Sequence, residues 1–179
     1  MRRYIVLAAN TGQSPSDRPR IIKELRSNGY NVIDVRVGSN HVEVDMFSDQ
    51  PPRLEELDVL EVVPTGVELD ESPEACFSRA VGLFDSERFW EAHEALESLW
   101  RSSDGGVKVF LHGLILTAAA FVHLQKGDTK GFDSIIKRAV DELARAGVEF
   151  GGLDSRSLAE VVKKARLDRK PFKLSGLLN

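Results

Sequence analysis

Six residues between positions 90 and 112 have the types and spacing to do chemistry: Trp90, His93, Glu94, Glu97, Trp100 and His112. His93 and Glu97 stand at i and i+4, so on a helix they are neighbours on one face. A helical wheel puts Phe89, Ala92, Leu96 and Leu99 on an apolar side. His93 lies at its edge, about 40° from both Phe89 and Glu97, with Trp90 and Trp100 close in angle. Glu91 and Glu94 turn progressively toward solvent. A partly buried imidazole beside a carboxylate can act as a base with its orienter, or as two metal ligands.

A second stripe follows at spacings of four, three and four: His112, Leu116, Ala119 and His123. Its two histidines stand about 16 Å apart along a helix axis, too far to share one metal. An antiparallel turn centred on Asp104 sets His112 level with Leu96 and Glu97. A His93–Glu97–His112 cluster then forms if the two stripes face each other. The run His-Glu-Ala-Leu-Glu lacks the second histidine of H-E-x-x-H. A stable zinc site takes three or four protein ligands, whereas one helix here guarantees two. No metal and no cofactor are therefore expected. The ordinary reading is a hydrogen-bonded network that fixes core packing, with Trp90 and Trp100 as core or groove walls. The functional readings are a helical module that binds a small molecule or a partner protein, or a hydrolytic enzyme, metal-assisted or not, using His93 and Glu97.

The elements that carry these residues are legible from their ends. Ser72-Pro73-Glu74 supplies a capping hydroxyl, a first-turn proline and an early carboxylate, which predicts a helix to Phe84. Asp85-Ser86 is expected to break it and cap a second helix, from Glu87 to about Arg101. Ser102 to Gly106 forms a loop. A third helix over 107–126 is apolar almost all round and should be the buried centre of a bundle. Asp128 or Thr129 starts a fourth, with Ile135, Ile136, Ala139 and Leu143 inward, ending near Gly147. Ser157-Leu-Ala-Glu160 matches a capping box for a fifth. The first two helices have the flavour of a tetratricopeptide hairpin, but no second copy recurs, which excludes a repeat array.

Ahead of this lies a different pattern. Arg3 to Ala9 reads as a covered strand, Ile21, Ile22 and Leu25 as one helix, and Val59 to Val63 as a last strand. Between them, Ile33, Val35 and Val37 alternate with polar residues, as do Val42, Val44 and Met46. A two-residue turn at Ser39-Asn40 pairs Val37 with Val42, Val35 with Val44 and Ile33 with Met46. The same register sets Asp34 opposite Asp45. That pair could bind a cation; the ordinary expectation is two solvated carboxylates softened by Arg36. The loop over 10–17 leaves a strand and enters a helix without a phosphate-binding glycine pattern, so it reads as an ordinary loop.

The expected fold class is thus α+β: a small α/β unit, β-α-β-β-β, over 1–69, then an all-α bundle of about five helices over 70–179, joined near Glu68 to Ser72. The formal net charge of −4 argues against nucleic acid as a partner. Residues 152–179 carry seven basic and three acidic side chains, expected as the solvated face of a last helix running into a tail. The lone Cys76 cannot form an intrachain disulfide and reads as a buried, inert thiol. The run Ile5 to Ala9 is too short for a signal peptide, and Gly113 to Val122 too short to span a bilayer. The default expectation is a cytoplasmic protein with no membrane partner, and self-association stays open.

The run Phe84-x4-Phe89-Trp90-Glu91-Ala92-His93-Glu94-x-Leu96-Glu97-x-Leu99-Trp100-Arg101, then Phe110 to Ile115, then His123-Leu124-x-x-Gly127, resembles domain-of-unknown-function family 309 over roughly 74–147. The resemblance implies a small all-helical domain of bacteria and archaea without an established activity. An amide common in that pattern after Gly-Leu-Ile is Leu116 here, and another stands where this chain has His112, so a site built on those amides is not implied.

Overall fold

The computed structural model describes residues 1–67 and 70–178. The expected joint at Glu68 to Ser72 therefore lies partly outside the described residues. The chain divides into two compact units, one of residues 1–67 and 70 with 125–127, the other of 71–124 with 128–178. Each has its own apolar cluster, the first gathered around Val6, Leu25, Val35 and Val44, the second around Phe84, Leu96, Phe121 and Ile136.

In the first unit, β1 (Arg2–Ala9), α1 (Arg18–Ser27), β2 (Asn31–Val37), β3 (His41–Ser48) and β4 (Val59–Pro64) follow one another, and a 3-10 turn at Pro15–Asp17 leads into α1. The strands form one antiparallel sheet in the order β2-β3-β1-β4. The hairpin pairs Val37 with Val42, Val35 with Val44 and Asp34 with Asp45. One expectation fails: the register shifts between Val32 and Asp34, so Val32, not Ile33, faces Met46. This bulge inserts Ile33 as an extra residue at the sheet edge, where it is 37% exposed. Bulges blunt edge strands against unwanted pairing.

The polar face of the hairpin also departs from expectation. Arg36, Glu43 and Asp45 are 2%, 0% and 1% exposed, not solvated. Arg3 donates to both Asp45 oxygens at 2.8 and 2.6 Å, and Arg36 reaches Glu43 and, at 3.3 Å, Asp45. His41 adds Nε2 to Glu43 at 3.3 Å. Asp34 is held by Arg18 at 2.6 Å. The two aspartates therefore carry arginine partners and form no shared cation site. Period-two alternation separates two faces; it does not say whether the polar one is covered.

The described residues of the second unit form five α-helices: α2 (Pro73–Asp85), α3 (Phe89–Arg101), α4 (Gly105–Gln125), α5 (Thr129–Ala146) and α6 (Ser155–Asp168). Ser72 caps α2 by accepting the Ala75 N–H, and Asp128 caps α5 by accepting that of Gly131. Two expected caps are corrected. Asp85-Ser86 does not cap α3, which starts two residues later after Glu87 takes a left-handed φ of 59°. The α6 cap is Asp154, whose carboxylate accepts the Ser157 N–H, so Ser157 lies within the first turn. A short ladder, β5 (Glu149–Phe150) with β6 (Leu153–Asp154), turns through Gly151 and Gly152, both at positive φ. Its two-residue strands fall below what alternation can reveal.

Helix α4 fills the centre, with Phe110, Leu111, Leu114 and Phe121 fully buried. By length and composition alone it could cross a membrane, at mean hydropathy 1.8, and 56% of that apolar window is buried within the fold. A central bundle helix has this character. The tail after α6 is not simply solvated: Leu174 is 1% exposed and Phe172 packs at 5.3 Å from the Phe84 ring.

Candidate functional site

Helix α3 presents the expected amphipathic face: Phe89, Ala92, Leu96 and Leu99 are buried, with Ala95 beside them. His93 and Glu97 flank that face half-buried, their side chains 25% and 34% exposed. Nε2 of His93 lies 3.9 Å from Glu97 and Nδ1 lies 3.7 Å from Glu94. Both separations are ion-pair distances, too long for hydrogen bonds. Nδ1 is enclosed and, among the described residues, has no hydrogen-bond partner. Glu97 instead accepts from Arg101 at 2.9 Å, one turn further along.

His112 lies elsewhere in the contact pattern. Its Nδ1 faces Glu142 of α5 at 3.6 Å, and its ring lies 6.1 Å from that of Trp100. The Lys108 ammonium sits 4.7 Å above the same indole, one turn before His112 on α4, in cation–π range. Trp100 thus joins the end of α3 to the start of α4. Among the described residues, no hydrogen bond, ion pair or ring contact links His93 to His112. Trp90 is half-buried and Glu94 exposed on α3.

Close approach of α5 to α4 makes the His112–Glu142 pairing. A Cβ at Gly113 would lie 2.7 Å from Leu143, so the glycine beside His112 admits the residue beside Glu142. Sequence reasoning missed Glu142, Lys108 and Arg145, which also pairs with Glu142. Only tertiary packing of α5 brings Glu142 to His112, and Arg145 reaches Glu142 from the same helix.

His123 is occupied at the other end of α4, with Nδ1 2.8 Å from Asp128, the residue that caps α5. Cys76 is buried, and its Sγ donates to the Ala95 carbonyl at 3.5 Å. Burial, and then Glu71 beside it, push its thiol above the ordinary range. It is therefore a packed thiol and no activated nucleophile. Among the described residues, no three of His, Cys, Asp and Glu gather closely enough to hold a metal ion.

The arrangement is a seam of half-exposed polar and aromatic side chains along α3 and the start of α4. It offers an imidazole, carboxylates and an indole face, with no nucleophile among the described residues aligned to a base. No reaction is assignable to it. Among curated proteins none matches the chain. A conserved hypothetical protein of Thermus thermophilus has a solved structure 30% identical to it; the likeness covers 50% of this chain and 93% of that one, with a TM-score of 0.44. Residues 77–135, from α2 into α5, match the family described as Domain of unknown function (DUF309), in the same helical part whose signature the sequence carries.

Proposed function

We propose that the helical unit is a binding module and that its recognition surface is the α3–α4 seam of His93, Glu97, Trp100 and His112, with Trp90 and Glu94 at its border. One observation carries this reading. The Nδ1 atom of His93 is enclosed without a hydrogen-bond partner, while its ring edge stays partly open between two carboxylates. An unsatisfied buried polar atom costs about 1–3 kcal/mol. A purely structural histidine would be expected to close onto Glu97, yet Glu97 turns to Arg101. A ligand or partner segment that draws the ring outward, or Glu94 inward, recovers that cost. The occupant is a small molecule or a protein rather than nucleic acid, given the net charge of −4.

The hydrolytic reading with His93 and Glu97 has no specific observation in its favour, since Glu97 stands 3.9 Å from the imidazole and accepts from Arg101 rather than orienting it. We place the protein in the cytoplasm of a bacterium or archaeon, with two separately folding domains. The deciding experiment is a thermal-shift screen of metabolites on the full chain. A ligand at 100 times its dissociation constant adds about 2.7 kcal/mol. A hit that vanishes in both His93→Ala and His112→Ala, with each variant still folded, supports the seam. Hits indifferent to both substitutions remove it.

A further inference from the structure

The helical unit has a concavity that shares no residue with the seam. It is a cleft of about 460 Å³ between the start of α2 and the β5–β6 turn. That volume is typical of a small-molecule site. Its walls are apolar: Phe77 and Phe150 pack edge to face at 5.0 Å, beside Val81 and Leu178. The shape is set in advance, because Gly151 holds φ at 57° and any side chain there would run into the Phe77 ring.

Two polar side chains line the cleft one helical turn apart, Glu74 and Ser78. Glu74 is the one ionisable side chain among the described lining residues. The start of α2 would ordinarily attract an anion, but its donors are already used. The Ser72 hydroxyl accepts the Ala75 N–H at 3.2 Å, and the Ser72 carbonyl accepts that of Cys76 at 2.9 Å. The Glu74 backbone N–H and, after it, the Ser72 hydroxyl hold the Glu74 carboxyl below its ordinary range, so it is anionic at neutral pH.

We infer that this cleft binds an amphipathic amine, with an aryl or alkyl body against Phe77, Val81 and Phe150 and its ammonium group at Glu74. Ser78 offers a second acceptor oxygen to the same ammonium. The inference does not rest on the α3–α4 seam, and either can fail without the other.

The test is a nitrogen-15 NMR titration of the full chain with three probes of one shape: 4-phenylbutylamine, 4-phenylbutanol and 4-phenylbutyrate. The amine is expected to shift the amides of Phe77, Ser78, Phe150 and Gly151 most strongly, the alcohol less and the carboxylate least. Glu74→Gln should weaken the amine about two- to fivefold at low salt, the scale of an exposed ion pair, and leave the alcohol unchanged. Ser78 is exposed on α2, so Ser78→Trp can place its ring in the cleft without disturbing the core. It should abolish shifts by both amine and alcohol. Equal binding of all three probes, preference for the carboxylate, persistence of binding in Ser78→Trp, or no shift with any probe would each overturn the inference.

Discussion

The carboxylate of Asp85 accepts the backbone N–H of Leu174 at 2.6 Å and that of Ser175 at 3.2 Å, fastening the C-terminal segment to the end of α2. The contact caps the 3-10 turn at Ser175–Leu177 and seats Leu174 in the apolar cluster. Asp85→Ala removes both acceptors and should destabilise the protein by about 1–3 kcal/mol. Asp85→Asn, which keeps one acceptor oxygen, should cost less. Urea unfolding reads the loss, and amide exchange locates it: Leu174 and Ser175 should exchange faster while α4 follows global unfolding. Unchanged exchange at those two amides in Asp85→Ala would remove the latch.

Gly113 should resist the substitution that helix propensity favours. Alanine is better than glycine inside a helix by about 1 kcal/mol. Here its Cβ would meet Leu143 Cγ at 2.7 Å and the Leu143 backbone nitrogen at 3.2 Å. A side chain can rotate away, but a backbone nitrogen cannot. Overpacking of this kind costs about 1–3 kcal/mol, so Gly113→Ala is expected to lower the denaturation midpoint. A raised midpoint would mean that α4 and α5 separate without penalty.

The misreadings of the sequence have different causes. Elements with strong periodicity and local caps were legible: Ser72 on α2, Gly147 ending α5, and the valine register across the hairpin. Asp85 looked like a local cap because aspartate before a helix is one of the commonest caps. Its true partners lie 89 and 90 positions away, and no local pattern encodes them. Ile33 was misplaced because a bulge adds one residue without changing the alternation on either side. Of the Asp34–Asp45 pair, expected to be solvated, Asp45 is buried, because charge is a poor guide to burial once arginine is paired to it. At the candidate site, the wheel located His93 and Glu97 at the edge of the apolar face. It could not show that His112 turns to Glu142, since the placement of α5 is purely tertiary.

Acid should loosen the first unit through Glu43. Burial is the largest influence on this carboxyl and pushes it up, but the His41 hydrogen bond and the Arg36 charge outweigh it and hold it below its ordinary value. A carboxyl with a lowered folded value binds fewer protons folded than unfolded. Its contribution is therefore complete above the ordinary glutamate range and is lost as pH falls through the folded value. Stability should decline from about pH 5 downward, and Glu43→Gln should flatten that decline. The same substitution should cost about 3–5 kcal/mol at neutral pH by breaking a buried pair. Wild type and variant losing stability in parallel below about pH 5 would exclude Glu43 as the titrating group.

The helical unit is expected to fold alone. Its apolar cluster draws on residues from Cys76 onward and that of the first unit on residues up to Val62. Helices α2, α5 and α6 are each capped by a residue of their own unit. A chain beginning at Val67 should give a mainly helical circular dichroism spectrum and one cooperative thermal transition. A molten, non-cooperative melt would mean that the two units share a core.

His93 separates a structural role from a working one. In a closed network, His93→Ala would strand a partner and cost about 1–3 kcal/mol. Among the described residues no hydrogen bond to the His93 imidazole is present to lose: Glu97 stands 3.9 Å away and holds Arg101, and Glu94 stands 3.7 Å away at the surface. The substitution also deletes an enclosed nitrogen that has no partner. The expected change in unfolding free energy is therefore within about 0.5 kcal/mol, the scale of surface substitutions. Glu97→Gln should behave alike, since Arg101 is exposed and its pairing is worth a few tenths of a kcal/mol. The ligand response should behave differently, with the stabilisation by a seam ligand lost in His93→Ala and reduced in Glu97→Gln. Loss of more than about 1 kcal/mol in unliganded His93→Ala, with ligand stabilisation intact, would assign His93 to packing alone. Stoichiometric metal that survives dialysis of untagged protein and disappears in His93→Ala would overturn the binding reading in favour of metal-assisted chemistry.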